Sequence, residues 1–402
     1  MYACLLLVLL AATSAAAQTP LTFTALGPLP DGGRYGMGYA QEPSAFYMVG
    51  GGSPASAFNA NVYVYAPGIG WVPGGASSSL PPQRWANMAI ASNGSGQPLL
   101  YVLNGATAMG ALVSNMQTVS VNSGNSGPTY TNPVPASSAA ATVRNNIIYV
   151  YGGQLANGSY TNQLRSYNAA TDTWAALAPM PEAKAALGGA AVNGKIYAIG
   201  GFNGVINSAR VDAYDPATNI WQALAPLPTT VSNQAVAVQG EWIWMVGDFT
   251  NQNYLAAYNT RTGQLRTFTS NLPPRRNAAA AILSNRLYVW GGNTASSNAS
   301  TLVDMWSVDV TTVLGTHAAT ATALGLRATP NPSADGLVTL DLPAGTRTVE
   351  VFDALGRQVL SVAPAATATA LPLDLRQQPG GMYLVRVRTA NGQSASYRVV
   401  RE

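Results

Sequence analysis

Four cations stand at one position of a repeated pattern, which makes them the best candidates for binding a charged ligand. Arg34, Lys184 and Arg275 each precede by sixteen residues the first glycine of a pair that ends an apolar strand. Arg84 is assigned to this position in a repeat whose hairpin is lengthened by residues 93–98. If these residues open strands that line a common channel, their charges ring its mouth and suit an anion such as an acidic sugar or a surface polysaccharide. The alternative is that each cation bonds loop carbonyls or a neighbouring repeat.

Residues for catalysis and metal binding are scarce. The chain has one histidine, His317, and one cysteine, Cys4, so a histidine-based metal site and a Ser-His-Asp triad are not expected. Four aspartates follow or interrupt strands at repeat positions, where turn chemistry is the ordinary role. They are Asp172, Asp212, Asp215 and Asp248. We therefore expect no metal, no cofactor and no catalytic residue, although paired carboxylates of the glycosidase kind stay open.

Two tryptophans are candidate stacking platforms for sugar rings. Trp85 and Trp242 lie outside the position at which the repeat usually carries tryptophan. Packing within a sheet is the alternative for both. Packing is also the expected role of Trp174 and Trp221, each of which follows a tyrosine by seven residues.

The elements that position these residues form a six-fold internal repeat. In each copy an apolar strand with tyrosine or tryptophan runs into a glycine pair or a close relative of one, and the copies recur every 44 to 54 residues. The copies are Tyr47–Gly52, Tyr101–Ala106, Ile148–Gly153, Ile196–Gly201, Ile243–Asp248 and Leu287–Gly292. The best copies continue with Tyr, Trp and a segment ending in proline, so each repeat predicts four short strands.

This pattern resembles the Kelch repeat over residues 21–310. The resemblance implies an all-β fold, a six-bladed Kelch-type β-propeller with one four-stranded sheet per blade. The last repeat stops without its Trp strand, and the segment Leu21–Pro30 matches the missing piece. We therefore predict that the N-terminal strand completes the last blade and closes the ring. Copper-radical oxidases share this fold, but their site needs histidine and cysteine that residues 21–310 lack.

The chain is predicted to have four segments. Residues 1–17 are predicted to be a signal peptide, because the apolar core Leu5–Leu10 precedes an A-x-A pattern and Gln18. The propeller follows over 18–310, then an Ala/Thr-rich linker over 311–327. Residues 328–402 contain six short strand signals, which predict a small Ig-like β-sandwich. No apolar run is long enough to cross a bilayer.

Three short motifs follow one another in the C-terminal segment. They are PNP at 330–332, VFDALGR at 351–357 and PGGMYLVRV at 379–387. Together they resemble the type A sorting domain of the type IX secretion system. The sorting motif is assigned to Pro330, Asn331, Pro332, Gly356, Arg357, Gly381 and Tyr383. The resemblance implies the type IX machinery as a partner and an exported protein, extracellular or at the outer-membrane surface.

Composition and motifs together favour a binding role. Only 9% of residues are charged, the net charge is +4, and no basic run suggests nucleic acid. The leading hypothesis is a secreted or cell-surface, monomeric, non-enzymatic binding module for a glycan or protein. Two alternatives stay open: a sugar-processing enzyme of the Kelch epimerase type that acts on an acidic sugar such as sialic acid, and a purely structural or adhesive surface protein.

Overall fold

The computed structural model of the chain describes residues 20–75, 80–311, 313, 326–353, 358–365, 367–389 and 394–402. The predicted signal peptide lies outside the described residues, as do His317, Gly356 and Arg357. The chain divides into two compact units, Met1–Val310 and Thr311–Glu402. The described residues form strands, with short 3-10 turns at Pro30–Gly32 and Asn298–Ser300.

The first unit is a six-bladed β-propeller whose blades are four-stranded antiparallel sheets. The first strand in the chain is β1 (Thr24–Ala25). Blade one contains β2 (Gly38–Gln41), β3 (Phe46–Val49), β4 (Val62–Ala66) and β5 (Gly70–Pro73). Blade two contains β6 (Asn87–Ser92), β7 (Pro98–Leu103), β8 (Asn115–Ser120) and β9 (Tyr130–Thr131). Blade three contains β10 (Ala140–Arg144), β11 (Ile147–Tyr151), β12 (Leu164–Asn168) and β13 (Thr173–Leu177).

The remaining blades repeat this order. Blade four contains β14 (Gly188–Val192), β15 (Lys195–Ile199), β16 (Val211–Asp215) and β17 (Ile220–Ala223). Blade five contains β18 (Ala235–Gln239), β19 (Trp242–Val246), β20 (Leu255–Asn259) and β21 (Leu265–Thr267). Blade six contains β22 (Ala279–Leu283), β23 (Arg286–Trp290) and β24 (Met305–Asp309), with β1 as its fourth strand. The predicted fold class is confirmed.

Blade six is completed by the two ends of the propeller sequence. β1 pairs antiparallel with β24, so that Thr24 lies opposite Ser307 and Ala25 opposite Trp306. Phe23, next to this pairing, is buried, and its backbone amide donates to the side-chain oxygen of Asn271 at 2.7 Å. β1 therefore covers the backbone edge of β24, which would otherwise be unpaired.

Burial falls from the second strand of a blade to its outer strand. In blade five every residue of β19 is buried, whereas β13, the outer strand of blade three, is mostly exposed. The repeated Tyr and Trp residues face each other across the two outer strands. Tyr167 pairs with Trp174 and Tyr214 with Trp221, with ring centroids 5.0 and 5.3 Å apart. This spacing explains why the sequence places the two aromatic residues seven apart.

The glycine pairs hold neighbouring blades together. Gly200 has φ +63°, and a Cβ there would lie 2.2 Å from the carbonyl oxygen of Val231 in the next blade. The following residue, Gly201, donates its amide hydrogen to that same oxygen at 2.8 Å. In blade two Asn104 takes the first position with φ +64°, a conformation that asparagine tolerates better than most residues.

The second unit consists of two β-sheets over one apolar core. A three-stranded sheet contains β25 (Ala328–Thr329), β26 (Leu337–Asp341) and β29 (Ala370–Asp374). A four-stranded sheet contains β27 (Thr346–Phe352), β28 (Gln358–Val362), β30 (Gly381–Thr389) and β31 (Ser394–Arg401). The core includes Val338, Leu373, Val349 and Val385, which are buried.

The described residues of the sorting motif include Gly381 and Tyr383, which lie in β30, and Asn331, which contacts β31. Asn331, between Pro330 and Pro332, donates to the carbonyl oxygen of Arg398 at 2.7 Å and accepts from the amide of Val400 at 2.8 Å. Gly381 opens β30, and the buried Tyr383 on the same strand donates its hydroxyl to the carbonyl oxygen of Pro379. These contacts give the described motif residues a structural role in the second unit.

Candidate functional site

Six residues just before the innermost strands form a closed ring of backbone hydrogen bonds around the channel. Each amide donates to the carbonyl oxygen of its counterpart in the preceding blade over 2.7 to 3.2 Å. The ring residues are Gly36, Trp85, Ser138, Ala186, Asn233 and Asn277, and their φ angles lie between +52° and +59°. This ring fixes the register of the blades, because residues at the same offset from it are equivalent.

Two of the four predicted site cations are paired with carboxylates of their own. Arg34 and Arg275 lie two residues before the ring and are almost completely buried. A guanidinium nitrogen of Arg34 lies 3.0 Å from a carboxylate oxygen of Asp31. The corresponding distance from Arg275 to Asp304 is 3.2 Å. Burial lowers the pKa of Arg275, and the Asp304 charge opposes that shift.

The third predicted cation, Lys184, belongs to a buried charge cluster. Its ammonium nitrogen lies 3.7 Å from carboxylate oxygens of both Glu182 and Asp212. Asp212 also accepts two hydrogen bonds from Arg210, at 2.6 and 3.2 Å. Burial lowers the pKa of Lys184, while Asp212 and Glu182 act in the opposite direction. These three cations are therefore neutralised in separate contacts, and the expected ring of free charges is not formed.

In blade two the predicted position is wrong by one residue. Gln83 lies two residues before the ring and is fully buried, whereas Arg84 lies one residue before it. Arg84 forms an antiparallel bridge with Ala106, just as Tyr35 does with Gly52 in blade one. The longer hairpin of blade two hides this offset in the sequence. Arg84 is consequently separate from the buried cations and only partly buried.

We call the end of the propeller where the second strands reach their glycine pairs the loop face. The residues one position before the ring lie at this end. They are Tyr35, Arg84, Ser137, Ala185, Ser232 and Arg276. Blades six, one and two are neighbours in the hydrogen-bonded ring. They therefore present Arg276, Tyr35 and Arg84 in succession.

A set of hydrogen bonds connects this part of the loop face. Arg84 donates to the hydroxyl oxygen of Tyr35 at 2.9 Å, and Tyr35 donates to the side-chain oxygen of Asn298 at 2.8 Å. Arg276 donates to the hydroxyl oxygen of Ser296, in the same loop as Asn298, at 3.3 Å. We call these five residues the arginine arc. Neither arginine has an ion-pair partner within the described part of the chain.

Both arginines of the arc lie over aromatic rings. The guanidinium carbon of Arg84 is 4.8 Å from the ring centroid of Phe58, and that of Arg276 is 4.1 Å from the centroid of Phe249. Arg276 is only 7% exposed, its Nε atom has no hydrogen-bond partner, and burial lowers its pKa. A buried cation without a counter-ion is unfavourable, so an anion here would be stabilised. Sequence reasoning missed Arg276, although it directly follows Arg275.

The two candidate stacking platforms have different surroundings. Trp85 is partly exposed, borders the channel cavity and packs edge-on against Tyr35, with ring centroids 5.9 Å apart. Trp242 is buried within β19, and the guanidinium carbon of Arg266 lies 5.2 Å from its ring centroid. Trp85 is therefore available to a ligand at the channel, and Trp242 is a packing residue.

A channel cavity and a second cavity, both lined by described residues, adjoin the ring. The channel cavity has a volume of about 170 Å³, and Tyr39 is the one titratable side chain among the described residues that line it. The Tyr39 hydroxyl is held by the backbone of Val236, and burial raises its pKa. A second cavity, of about 420 Å³, opens on the loop face of blades three to five. Its lining includes Tyr160, Phe202 and Phe249.

The aspartates singled out in the sequence make local contacts. Asp172 accepts from the hydroxyl of Tyr167, and Asp215 accepts from the amide of Ala217. Asp248, in place of a glycine, accepts from the amides of Ser232, Thr250 and Asn251. Across the described ranges no group of three or more His, Cys, Asp or Glu residues could hold a metal ion. The same ranges contain no helix that is long and apolar enough to span a membrane.

Known proteins resemble both units. Residues 100–264 match a family profile described as the KLHDC2/KLHL20/DRC7 Kelch-repeats domain. Residues 328–401 match a profile described as a secretion system C-terminal sorting domain. Kelch-like protein terF of Aspergillus terreus is 32% identical over an alignment of 179 residues, and the match covers 39% of this chain and 39% of that protein. Both resemblances inferred from the sequence motifs are thereby confirmed.

Proposed function

Because this chain carries Kelch repeats followed by a type IX sorting domain, which indicates export to the surface or the medium, we propose that it is a non-enzymatic binding module whose ligand docks on the loop face. The observation that carries the proposal is an apolar surface at the loop-face cavity. Val205 and Ile206 border this cavity and are 84% and 62% exposed. Contiguous exposed apolar groups of this kind mark interaction sites.

The cavity itself suits a small ligand or part of a larger one. Its volume of about 420 Å³ lies within the range of ordinary ligand pockets. The rings of Tyr160 and Phe202 stand edge to face with centroids 5.7 Å apart, which presents an aromatic wall. Gln154 and Thr250 supply polar groups beside it. Aromatic walls with a few polar groups suit the mixed apolar and hydroxyl surface of a glycan as well as a protein segment.

The enzyme alternative receives less support from the channel. Acid–base chemistry on a sugar needs a titratable group such as a carboxylate, histidine, lysine or tyrosine within hydrogen-bond reach of the substrate. Among the described lining residues of the channel cavity Tyr39 alone titrates, and its hydroxyl is already bonded to backbone groups of Val236. We therefore prefer a binding role to a sugar-processing reaction in the channel. A purely adhesive role is separated from ligand binding by the experiment below.

The test uses the purified full-length exported protein on a glycan array and against extracted surface proteins. The variant V205S/I206S should lose most of the binding, because it removes the exposed apolar groups at the cavity. The matched control is Ile69→Ser, which changes an equally exposed apolar residue in the turn between β4 and β5. Equal binding by all three proteins would contradict the proposed face, and absence of any ligand would favour the adhesive alternative.

A further inference from the structure

We propose that the arginine arc is a carboxylate-binding subsite for an acidic saccharide of the uronic-acid type. This inference rests on the proposed function, because it places the ligand's charged group on the loop face. It differs from the first sequence hypothesis in its residues: Arg276 and Tyr35 replace Arg34, Lys184 and Arg275.

The charge of the arc is not neutralised from within the described residues. Arg275 is fully buried and paired with Asp304. The side chain of its neighbour Arg276 donates to Ser296 and lies over the ring of Phe249, and it has no ion pair with any described residue. The Nε atom of Arg276 is buried and has no hydrogen-bond partner. This buried and unpartnered N–H adds to the cost of a charge that no carboxylate of the described residues compensates, and a ligand carboxylate beside the guanidinium would offset that cost.

Arg84 and Tyr35 extend the same polar surface. The Tyr35 hydroxyl accepts from Arg84 and donates to Asn298, so it holds the Arg84 guanidinium in place at 2.9 Å. The guanidinium also lies over the ring of Phe58, with its carbon 4.8 Å from the ring centroid. A guanidinium that is fixed in this way loses little freedom on binding, and its planar fork matches the two oxygens of a carboxylate.

Trp85 favours a saccharide over an acidic peptide. It directly follows Arg84, its ring centroid is 5.6 Å from the Arg84 guanidinium carbon, and it borders the channel cavity. A pyranose ring presents a flat face of C–H groups, which packs on the electron-rich face of an indole. A carboxylate attached directly to that ring would reach the neighbouring guanidinium at the same time. A uronic acid combines these two features within one residue.

The experiment compares two probes on the full-length exported protein by calorimetry. The probes are trigalacturonic acid and its neutral methyl ester. The wild-type protein should bind the acid at least about tenfold more tightly than the ester, which corresponds to about 1.4 kcal/mol. The preference should shrink as salt is raised. Arg84→Gln and Arg276→Gln should each abolish the preference, and Arg84→Lys, which keeps the charge without the fork, should retain only part of it.

Two further variants keep the result interpretable. Arg261→Gln removes an exposed arginine at the opposite end of β20 from the loop face and should leave the preference unchanged. Because Arg276 is buried, thermal melting must first show that Arg276→Gln is folded, and Tyr35→Phe supplies a neutral change that should weaken acid binding alone.

The outcomes separate this inference from the proposed function. Equal affinity for acid and ester overturns the carboxylate subsite, while loss of ester binding in V205S/I206S still supports the loop face. Binding of an acidic peptide, but of neither sugar, overturns the saccharide assignment. If V205S/I206S leaves binding of every ligand unchanged, the proposed function itself fails.

Discussion

The backbone nitrogen of Gly36 lies 2.9 Å from the carbonyl oxygen of Asn277 and donates to it. This bond joins blade one to blade six and closes the ring of six hydrogen-bonded residues around the channel. A second joint lies at the outside of blade six, where β1, the strand that precedes blade one in the chain, pairs with β24. Both joints bring residues from opposite ends of the propeller sequence together, so the stability of the whole unit should depend on them.

The outer joint is tested by Phe23→Ala. Phe23 is 2% exposed, and truncating a buried phenylalanine removes apolar contacts worth about 3–5 kcal/mol. The free energy of unfolding of the propeller, measured by urea denaturation, should fall by that amount. Thr24→Ala is the matched control, because Thr24 is exposed and pairs through its backbone; we expect a change below about 0.5 kcal/mol. Similar losses in the two variants would contradict the importance of the closing segment.

The glycine pairs are tested by Gly200→Ala. The new methyl group would lie 2.2 Å from the carbonyl oxygen of Val231 at a φ of +63°, so both crowding and backbone strain act, and we expect a loss of about 2–5 kcal/mol. Gly240→Ala is the control: its φ is +57°, but no atom lies within 4 Å of the new position. That variant should lose about 1–2 kcal/mol. The difference between the two isolates the contact between blades.

The buried cations should matter for stability and not for ligand affinity. Replacing Arg275 by Met removes its bonds to Asp304 and to the Gly291 carbonyl, and breaking a buried ion pair on one side typically costs about 3–5 kcal/mol. The pair Arg261–Glu241 is exposed on both sides, so Arg261→Met should cost below about 1 kcal/mol. Ligand titrations should give the same affinity for both variants; a weaker ligand affinity in Arg275→Met would restore the original assignment of that residue.

The blades were predictable from sequence because their determinants are local. A glycine pair at the end of an apolar strand records a positive φ and a close backbone approach, as at Gly200 and Gly201, and the Tyr–Trp spacing records a pairing across one hairpin. Both features are therefore visible in a stretch of a few residues. The pattern is less regular in blade two, where the longer hairpin leads the sequence spacing to Arg84 instead of Gln83.

The candidate site was much less predictable because its determinants are distant in sequence. Lys184 and Asp212, like Arg275 and Asp304, meet only after the blades have formed. Arg84 and Tyr35 are 49 residues apart, and no periodic signal shows that one donates to the other. A cation at a repeat position therefore indicates where a charge lies, while its availability depends on which carboxylates lie beside it in the folded blade.

The alkaline stability of the propeller should depend on one buried hydroxyl, that of Tyr254. Tyr254 is 6% exposed and its hydroxyl has no hydrogen-bond partner. Burial, followed by the charge of Asp248, raises its pKa from 10.0 to about 12. The folded protein therefore keeps this proton at pH values where the unfolded chain releases it. The resulting stability is complete below pH 10 and is lost as the pH rises through about 12.

Tyr254→Phe removes this titration while keeping the ring. Because the hydroxyl makes no hydrogen bond, the variant should be about as stable as the wild type near neutral pH. Between about pH 10 and pH 12 its free energy of unfolding should fall by about 2–3 kcal/mol less than that of the wild type, since each pKa unit corresponds to about 1.4 kcal/mol. Urea unfolding at a series of pH values measures both slopes. If the stability of both proteins falls equally steeply at alkaline pH, Tyr254 ionises as readily in the folded protein as in the unfolded chain. If Tyr254→Phe is much less stable than the wild type at neutral pH, the hydroxyl has a hydrogen-bond partner.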